Sequence, residues 1–281
     1  MYEKGFGDIE NLIRKGIGIL MEETILICED SIEGILTGVY KAYELHKDHD
    51  TIHLQTADIE NYRLFATYYE VTTDEEKSRK VLRTIYHRFG EEAYTQLCQA
   101  MVSYDTQKAD AVYHAITVGI AGHYHGRFMD HLSNRYIHKV FCLSRNTGIE
   151  LHHLLGFLRF QELQNGVLLA RYSPKNDITT MMMQHFANRL PNEDFAIYDE
   201  KRKYYAVHPK GKQWYLVREE LPFSKEKEVY TQQESEYQIL YKHFCKKIAI
   251  TERKNWELQK NMLPLRFRQY MVEFEDAERF F

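Results

Sequence analysis

Residues 156–174 read GFLRFQELQNGVLLARYSP, and this stretch decides the fold class. Two runs rich in apolar residues flank Asn165 and Gly166, and an Asn-Gly pair between such runs is a strong signal for a β-hairpin. A second hairpin is predicted at 195–208, where FAIYDEKRKYYAVH has the polar tip DEKR. The segment KQWYLV at 212–217 predicts one further strand.

A helix is predicted between the two hairpins. The segment NDITTMMMQHFANRLP at 176–191 has helical length, with Asn176 or Asp177 as its N-cap and an end before Pro191. The order is therefore two strands, a helix and three strands. This order predicts an antiparallel sheet with a helix packed on one face.

Helical patterns dominate both sides of this sheet region. After a short β-like run, ILIC at 25–28, Ser31 and Asp74 are predicted to begin helices, and Gly90 to end the second of them. The fold class is α+β, with a mostly helical N-terminal half, an antiparallel sheet with a packed helix, and a helical C-terminal tail. The predicted domains are a helical part at 24–150, the sheet and helix at 151–222, and a basic helical tail at 223–281, all in one compact unit.

Residues 1–23 are interpreted as an N-terminal extension. The sequence RKGIGILMEE places Gly16 and Gly18 directly before Met21, in what is otherwise a helical pattern. We expect Met21, rather than Met1, to be the native start.

Composition excludes several classes of protein. The chain has 281 residues, a net charge of −4 and four cysteines that occur singly, so it lacks ligand sets for zinc ribbons and iron–sulfur clusters. Isolated thiols suit a reducing cytoplasm, and no apolar run reaches membrane-spanning length. We expect a cytoplasmic protein with no membrane partner. Walker A, GxGxxG, GxSxG and protein-kinase motifs do not occur, and no cofactor is predicted.

Histidines are frequent between 114 and 153, which raises the question of a metal site. His123 and His125 lie near a predicted helix end, and His114, His131 and His138 lie close in sequence. No HExxH or comparable spacing occurs, so no metal site is predicted.

A second group of polar residues lies in the sheet region. His185 and Arg189 are four residues apart and so share a helix face, while Arg159 and Glu162 lie in the first hairpin. One interpretation is a catalytic pocket formed by these four residues, in which a histidine transfers protons. The alternative is an internal salt bridge that joins Arg159 or Arg189 to Glu162 or Asp199.

The C-terminal stretch 246–270, KKIAITERKNWELQKNMLPLRFRQY, contains seven Lys or Arg and two Glu. Basic side chains interleaved with aromatic ones are typical of surfaces that bind single-stranded nucleic acid. The same pattern also fits amphipathic helices with a solvated face. The candidate nucleic-acid-binding residues are Lys247, Arg253, Lys254, Trp256, Lys260, Arg266 and Arg268.

Several of these segments resemble one bacterial family. The chain is similar to the family called "probable DNA metabolism protein" in five blocks: FLRFQEL, GVLLARYSPKNDI, HFANRLPNEDFAIYDEKRKYYAVH, WYLV and IAITERKNWELQKNMLPLRFRQYMVEF. The resemblance runs from Thr24 to Phe274. Its core is a domain of unknown function that also occurs fused to uracil-DNA glycosylases, and stand-alone members are associated with a radical-SAM protein of DNA repair or modification.

The resemblance implies an accessory protein of DNA metabolism or repair. Such a protein binds nucleic acid, or supports a partner DNA-repair enzyme of the radical-SAM or uracil-DNA glycosylase type. The family has no established catalytic residues, so the resemblance assigns none to this chain. Two alternatives stay open, namely an enzyme that uses the pocket of His185, Arg189, Arg159 and Glu162, and a protein–protein interaction module with tyrosine-rich helices as its interface.

Overall fold

The computed structural model describes residues 23–56, 62–122, 127–218 and 230–274. The chain divides into two compact units, Met1–Arg145 and Asn146–Phe281. The domain boundaries predicted at 150 and 222 stay predictions, as does the prediction of one compact unit. Apart from Glu23, the predicted N-terminal extension and its start at Met21 lie outside the described residues.

The first unit contains a small parallel sheet. Its central strand β1 (Glu23–Cys28) pairs with β2 (Ile52–Gln55) on one side and with β3 (Ala66–Val71) on the other. Only β1 was predicted from the sequence. Parallel neighbours need a crossover connection, and the chain between β1 and β2 supplies it as a helix.

Four helices surround or follow this sheet: α1 (Ile32–Glu44), α2 (Glu75–Met101), α3 (Lys108–Ala121) and α4 (Arg135–Phe157). The predicted caps are confirmed: Ser31 Oγ accepts a hydrogen bond from the backbone N–H of Gly34, and the Asp74 carboxylate accepts from two N–H groups of the first turn of α2. Gly90 has φ of +83° and interrupts α2, as its predicted position at a helix end requires.

Helix α1 packs closely on the sheet at Gly38. A Cβ atom added there would clash with Sγ of Cys28 and lie 3.1 Å from Cδ2 of Leu54. Cys28 and Leu54 are both buried in the hydrophobic core that α1 to α4 share with the sheet. The missing side chain of Gly38 is therefore a requirement of the core. Among the described helices, none is long and apolar enough to cross a membrane.

The second unit contains a five-stranded sheet whose strands lie side by side in the same order as in the sequence. They are β4 (Phe160–Glu162), β5 (Leu168–Tyr172), β6 (Phe195–Asp199), β7 (Tyr204–His208) and β8 (Tyr215–Val217). Both predicted hairpins are present, β4–β5 around Gly166 and β6–β7 around the turn that follows Asp199. The α+β class is confirmed.

One pairing corrects the prediction of an antiparallel sheet. Strands β5 and β6 are parallel, because helix α5 (Thr179–Arg189) connects them as a crossover, so the sheet is mixed. The helix begins at Thr179, with Ile178 in the cap position rather than Asn176 or Asp177. After β8 come α6 (Gln232–Ile248), α7 (Trp256–Met262) and the short α8 (Leu265–Arg268).

Candidate functional site

The predicted nucleic-acid-binding residues fall on and between the three C-terminal helices. Neither α6 nor α7 has a buried residue among those described, so most of this segment lies in solvent. Five of the seven predicted residues are exposed, and we call them the tail surface: Lys247, Arg253, Lys254, Trp256 and Lys260.

Two observations define the chemistry of the tail surface. The indole of Trp256 is 64% exposed, an unusual position for a large aromatic ring. Lys260 lies 3.7 Å from the Glu257 carboxylate, a loose surface pair in which the ammonium stays hydrated. The surface therefore combines accessible positive charge with an accessible ring.

The other two predicted residues, Arg266 and Arg268, have structural contacts. Nη2 of Arg266 lies 3.1 Å from Oε1 of Glu150, whose side chain is only 2% exposed. The guanidinium of Arg268 donates two hydrogen bonds of 3.2 Å to the carbonyl of Leu263 and lies over the ring of Phe274. Arg266 therefore joins α8 to α4, and Arg268 fixes the turn between α7 and α8, so a change in either alters packing as well as charge.

Glu150 explains why Arg266 is needed. Its carboxylate accepts hydrogen bonds from the backbone N–H of Lys175 and from both the backbone and side-chain N–H groups of Asn176. A buried carboxylate is stable only when its charge is met by donors and a counter-charge. Arg266 is the guanidinium that meets it.

Helix α6 also presents an apolar face. The exposed fraction is 64% for Leu240 and 54% for Phe244, and Tyr237, Tyr241 and Ile248 are also exposed. These residues recur every three or four positions, so they form an apolar stripe along the helix, and the stripe lies in solvent. An apolar helix face of this kind is typical of a protein–protein contact.

Two of the four residues proposed as a catalytic pocket, Arg159 and Glu162, bind other residues rather than each other. Arg159 donates to Oε1 of Glu273 over 2.8 Å and also to the carbonyl of Gly156. The carboxylate of Glu162 accepts from Thr231 Oγ1 at 3.4 Å. Across the described part of the chain, no hydrogen bond or ion pair joins any two of Arg159, Glu162, His185 and Arg189.

His185 and Arg189 lie on α5, and both side chains are exposed. The predicted salt bridge of Arg159 does form, but its partner is Glu273 rather than Glu162 or Asp199. Asp199 pairs instead with Arg202, over 2.9 Å.

A cluster that the sequence did not reveal lies in the first unit. Nδ1 of His53, on β2, lies 3.1 Å from Oδ1 of Asp110, on α3. Nε2 of His114, one helical turn further along α3, lies 3.4 Å from the same oxygen. We call these three residues the His-Asp-His cluster. Two of them, His53 and Asp110, line a cavity of about 590 Å³ that Arg63, Arg135 and Lys139 also line.

The two imidazoles stabilise the carboxylate of the cluster. Burial on its own raises the pKa of Asp110, but the neighbouring side chains of His114 and His53 outweigh it and hold that pKa below its usual value. The carboxylate is therefore ionised between the two imidazoles. The ring of His114 is further fixed by stacking on Tyr136, with ring centroids 4.3 Å apart.

The model of DUF4130, a domain of unknown function, matches residues 106–273, which is more than half of the chain. The chain belongs to the DUF4130 family. A search of curated proteins finds no match to it.

The DUF4130 match contains the whole tail surface as well as Asp110 and His114, whereas His53 lies before it. Asp110 and His114 are spaced four apart, which places them on one face of α3, so part of the His-Asp-His cluster was visible in the sequence. Sequence reasoning missed it because the third member comes from a distant strand.

Proposed function

We propose that this DUF4130 protein acts in DNA metabolism as an accessory protein that binds nucleic acid through the tail surface. The observation that carries the proposal is the joint exposure of four basic side chains and Trp256. Basic side chains neutralise phosphates, and an exposed indole stacks on an unpaired base. Single-stranded DNA is the expected ligand, because its bases are free to stack.

The overall charge of −4 gives no general attraction to a polyanion, so binding depends on this local surface. The resemblance to the "probable DNA metabolism protein" family supports DNA as the ligand. The same resemblance supports a role beside a DNA-repair or DNA-modifying enzyme, because DUF4130 membership brings no catalytic residues with it.

Fluorescence anisotropy with a labelled single-stranded oligonucleotide tests the proposal. The test variant replaces Lys247, Arg253, Lys254 and Lys260 by glutamine. The control variant replaces Lys210 and Lys212, two lysines exposed at the turn between β7 and β8, by glutamine.

We expect the test variant to lose most of its affinity at low salt and the control to retain it. Trp256→Ala should also weaken binding, by roughly 1–3 kcal/mol for one stacked base. Equal affinities of the test variant and the control would refute the tail surface as the binding site.

A second candidate function is docking of the partner enzyme on the apolar face of α6. The exposure of Leu240 and Phe244 favours it. In a nuclease-treated extract, tagged wild-type protein should retain a DNA-repair or radical-SAM enzyme, and the double variant Leu240→Asp, Phe244→Asp should not. Equal retention by both proteins would rule out this face.

A further inference from the structure

The His-Asp-His cluster contains a buried donor or acceptor that the protein does not satisfy. The side chain of His114 is 4% exposed, and its Nε2 has no hydrogen bond of acceptable geometry within the described part of the chain. Buried polar atoms are nearly always paired, so an unpaired one in a native core calls for an explanation such as a bound ion. This atom lies 3.4 Å from Oδ1 of Asp110, and Asp110 lines the 590 Å³ cavity.

The cluster has the dimensions of a metal site. The potential ligand atoms of His53, Asp110 and His114 all lie within 4.8 Å of one another. Two atoms bound at about 2.1 Å to one tetrahedral or octahedral ion are separated by roughly 3.0–3.4 Å. The two distances to Asp110 Oδ1, 3.1 and 3.4 Å, fall in this range.

A purely structural role accounts for only part of the arrangement. Oδ1 of Asp110 accepts hydrogen bonds from His53 Nδ1 and from the backbone N–H of Leu54, so β2 and α3 are already joined without His114. Nε2 of His114 lies 3.4 Å from the same oxygen, but it is buried and lacks good hydrogen-bond geometry. It therefore adds little to the link between β2 and α3. An ion between the three side chains would satisfy all of them.

We propose that His53, Asp110 and His114 bind a divalent transition-metal ion. Two imidazoles and one carboxylate favour zinc, iron or manganese over magnesium and calcium, which prefer oxygen ligands. Three protein ligands leave at least one coordination position for water or a ligand, the pattern of catalytic rather than structural metal sites. The cavity beside the cluster provides the space for that ligand.

The lining of the cavity indicates the chemical class of the ligand. Arg63, Arg135 and Lys139 bring three positive charges to it, against the single carboxylate of Asp110 among the described lining residues. Arg63 and Lys139 also pair with Glu23 and Asp105. The guanidinium of Arg135 has no acidic partner among the described residues; it donates a hydrogen bond to the hydroxyl of Tyr136 and lies over the same ring, 4.5 Å from its centroid. A phosphate-bearing ligand, bound to the metal and contacted by Arg135, fits this charge pattern.

Cobalt(II) is a suitable probe, because its visible absorption reports on nitrogen and oxygen ligands. The full-length chain, freed of metal with a chelator, is titrated with Co²⁺ in wild-type form and as Asp110→Asn, His53→Gln and His114→Gln. His87→Ala is the matched control, because His87 is an exposed histidine of the same unit. Circular dichroism verifies that each variant is folded, and Asp110→Asn and His53→Gln, at partly exposed positions, disturb packing least.

We expect the wild type and the control to bind one ion with the same spectrum. Each ligand variant should bind more than about tenfold more weakly, since even second-shell changes cost tenfold or more. A wild type without a saturable spectrum, or folded Asp110→Asn and His53→Gln variants with wild-type affinity, would overturn the proposal. These titrations contain no DNA, so their outcome is independent of the proposed nucleic-acid binding.

Inorganic phosphate tests the ligand class in the same assay. Phosphate should change the spectrum of the cobalt-loaded wild type, and Arg135→Ala should require a higher phosphate concentration for the same change. A spectrum that phosphate leaves unchanged would refute the phosphate assignment.

Discussion

Replacement of Gly38 by alanine tests the close packing of α1 on the sheet. The added Cβ would clash with Sγ of Cys28 and lie 3.1 Å from Cδ2 of Leu54. Both neighbours are buried, at 3% exposure each, so neither can move into solvent. The clash must therefore be relieved by a shift of the helix or of the strand.

Two opposing effects set the size of the change in stability. Overpacking a buried site costs about 1–3 kcal/mol, and a clash with a short buried side chain belongs at the upper end of this range. Alanine in a helix is favoured over glycine by about 1 kcal/mol. The net prediction is a loss of about 2 kcal/mol in the free energy of unfolding.

Urea unfolding of the full chain, followed by circular dichroism, measures this loss. The matched control is Gly156→Ala on α4, where an added Cβ meets nothing within 4 Å and the helix preference alone should stabilise by up to about 1 kcal/mol. In a Cys28→Ala background, which removes Sγ, Gly38→Ala should cost little or nothing. A Gly38→Ala variant as stable as the wild type, or an equal cost in both backgrounds, would refute the packing argument.

Two further predictions concern buried groups in each unit. Arg266→Ala should lower the free energy of unfolding by about 1–2 kcal/mol, because Glu150 stays buried without its counter-charge. The control Arg253→Ala, at an exposed position, should leave urea unfolding unchanged. Equal unfolding curves for the two variants would contradict the role of Arg266. Burial raises the pKa of Cys28 to about 12 and that of Cys98 to about 11, so at pH 8.5 less than about 1% of either thiol is the reactive thiolate. Ellman's reagent should therefore label both slowly until denaturant is added. Rapid labelling of either cysteine in the native chain, located by mass spectrometry, would contradict the raised pKa values.

Local signals allowed much of the fold to be predicted. The caps Ser31 and Asp74, the break at Gly90 and the hairpin at Gly166 depend on a few neighbouring residues, so the sequence displays them directly. The direction in which β5 and β6 pair depends on how the intervening helix crosses the sheet, which the order of elements does not specify.

The candidate sites show the same limit. The exposure of Trp256 follows from the composition of its own segment, whereas the ion pair of Arg266 with the buried Glu150 depends on a residue far away in the chain. His53 likewise meets Asp110 only after β2 has packed beside α3. Contacts between distant segments leave no periodic pattern in a single sequence.

The salt dependence of DNA binding tests the central claim most directly. The affinity for a single-stranded oligonucleotide is measured over a series of salt concentrations, for the wild type and for the variant with glutamine at Lys247, Arg253, Lys254 and Lys260. Each neutralised phosphate contributes about −0.7 to the slope of log affinity against log salt, so four contacts predict a slope shallower by about 3 in the variant. Identical slopes for the two proteins, or no binding by the wild type at low salt, would contradict the account.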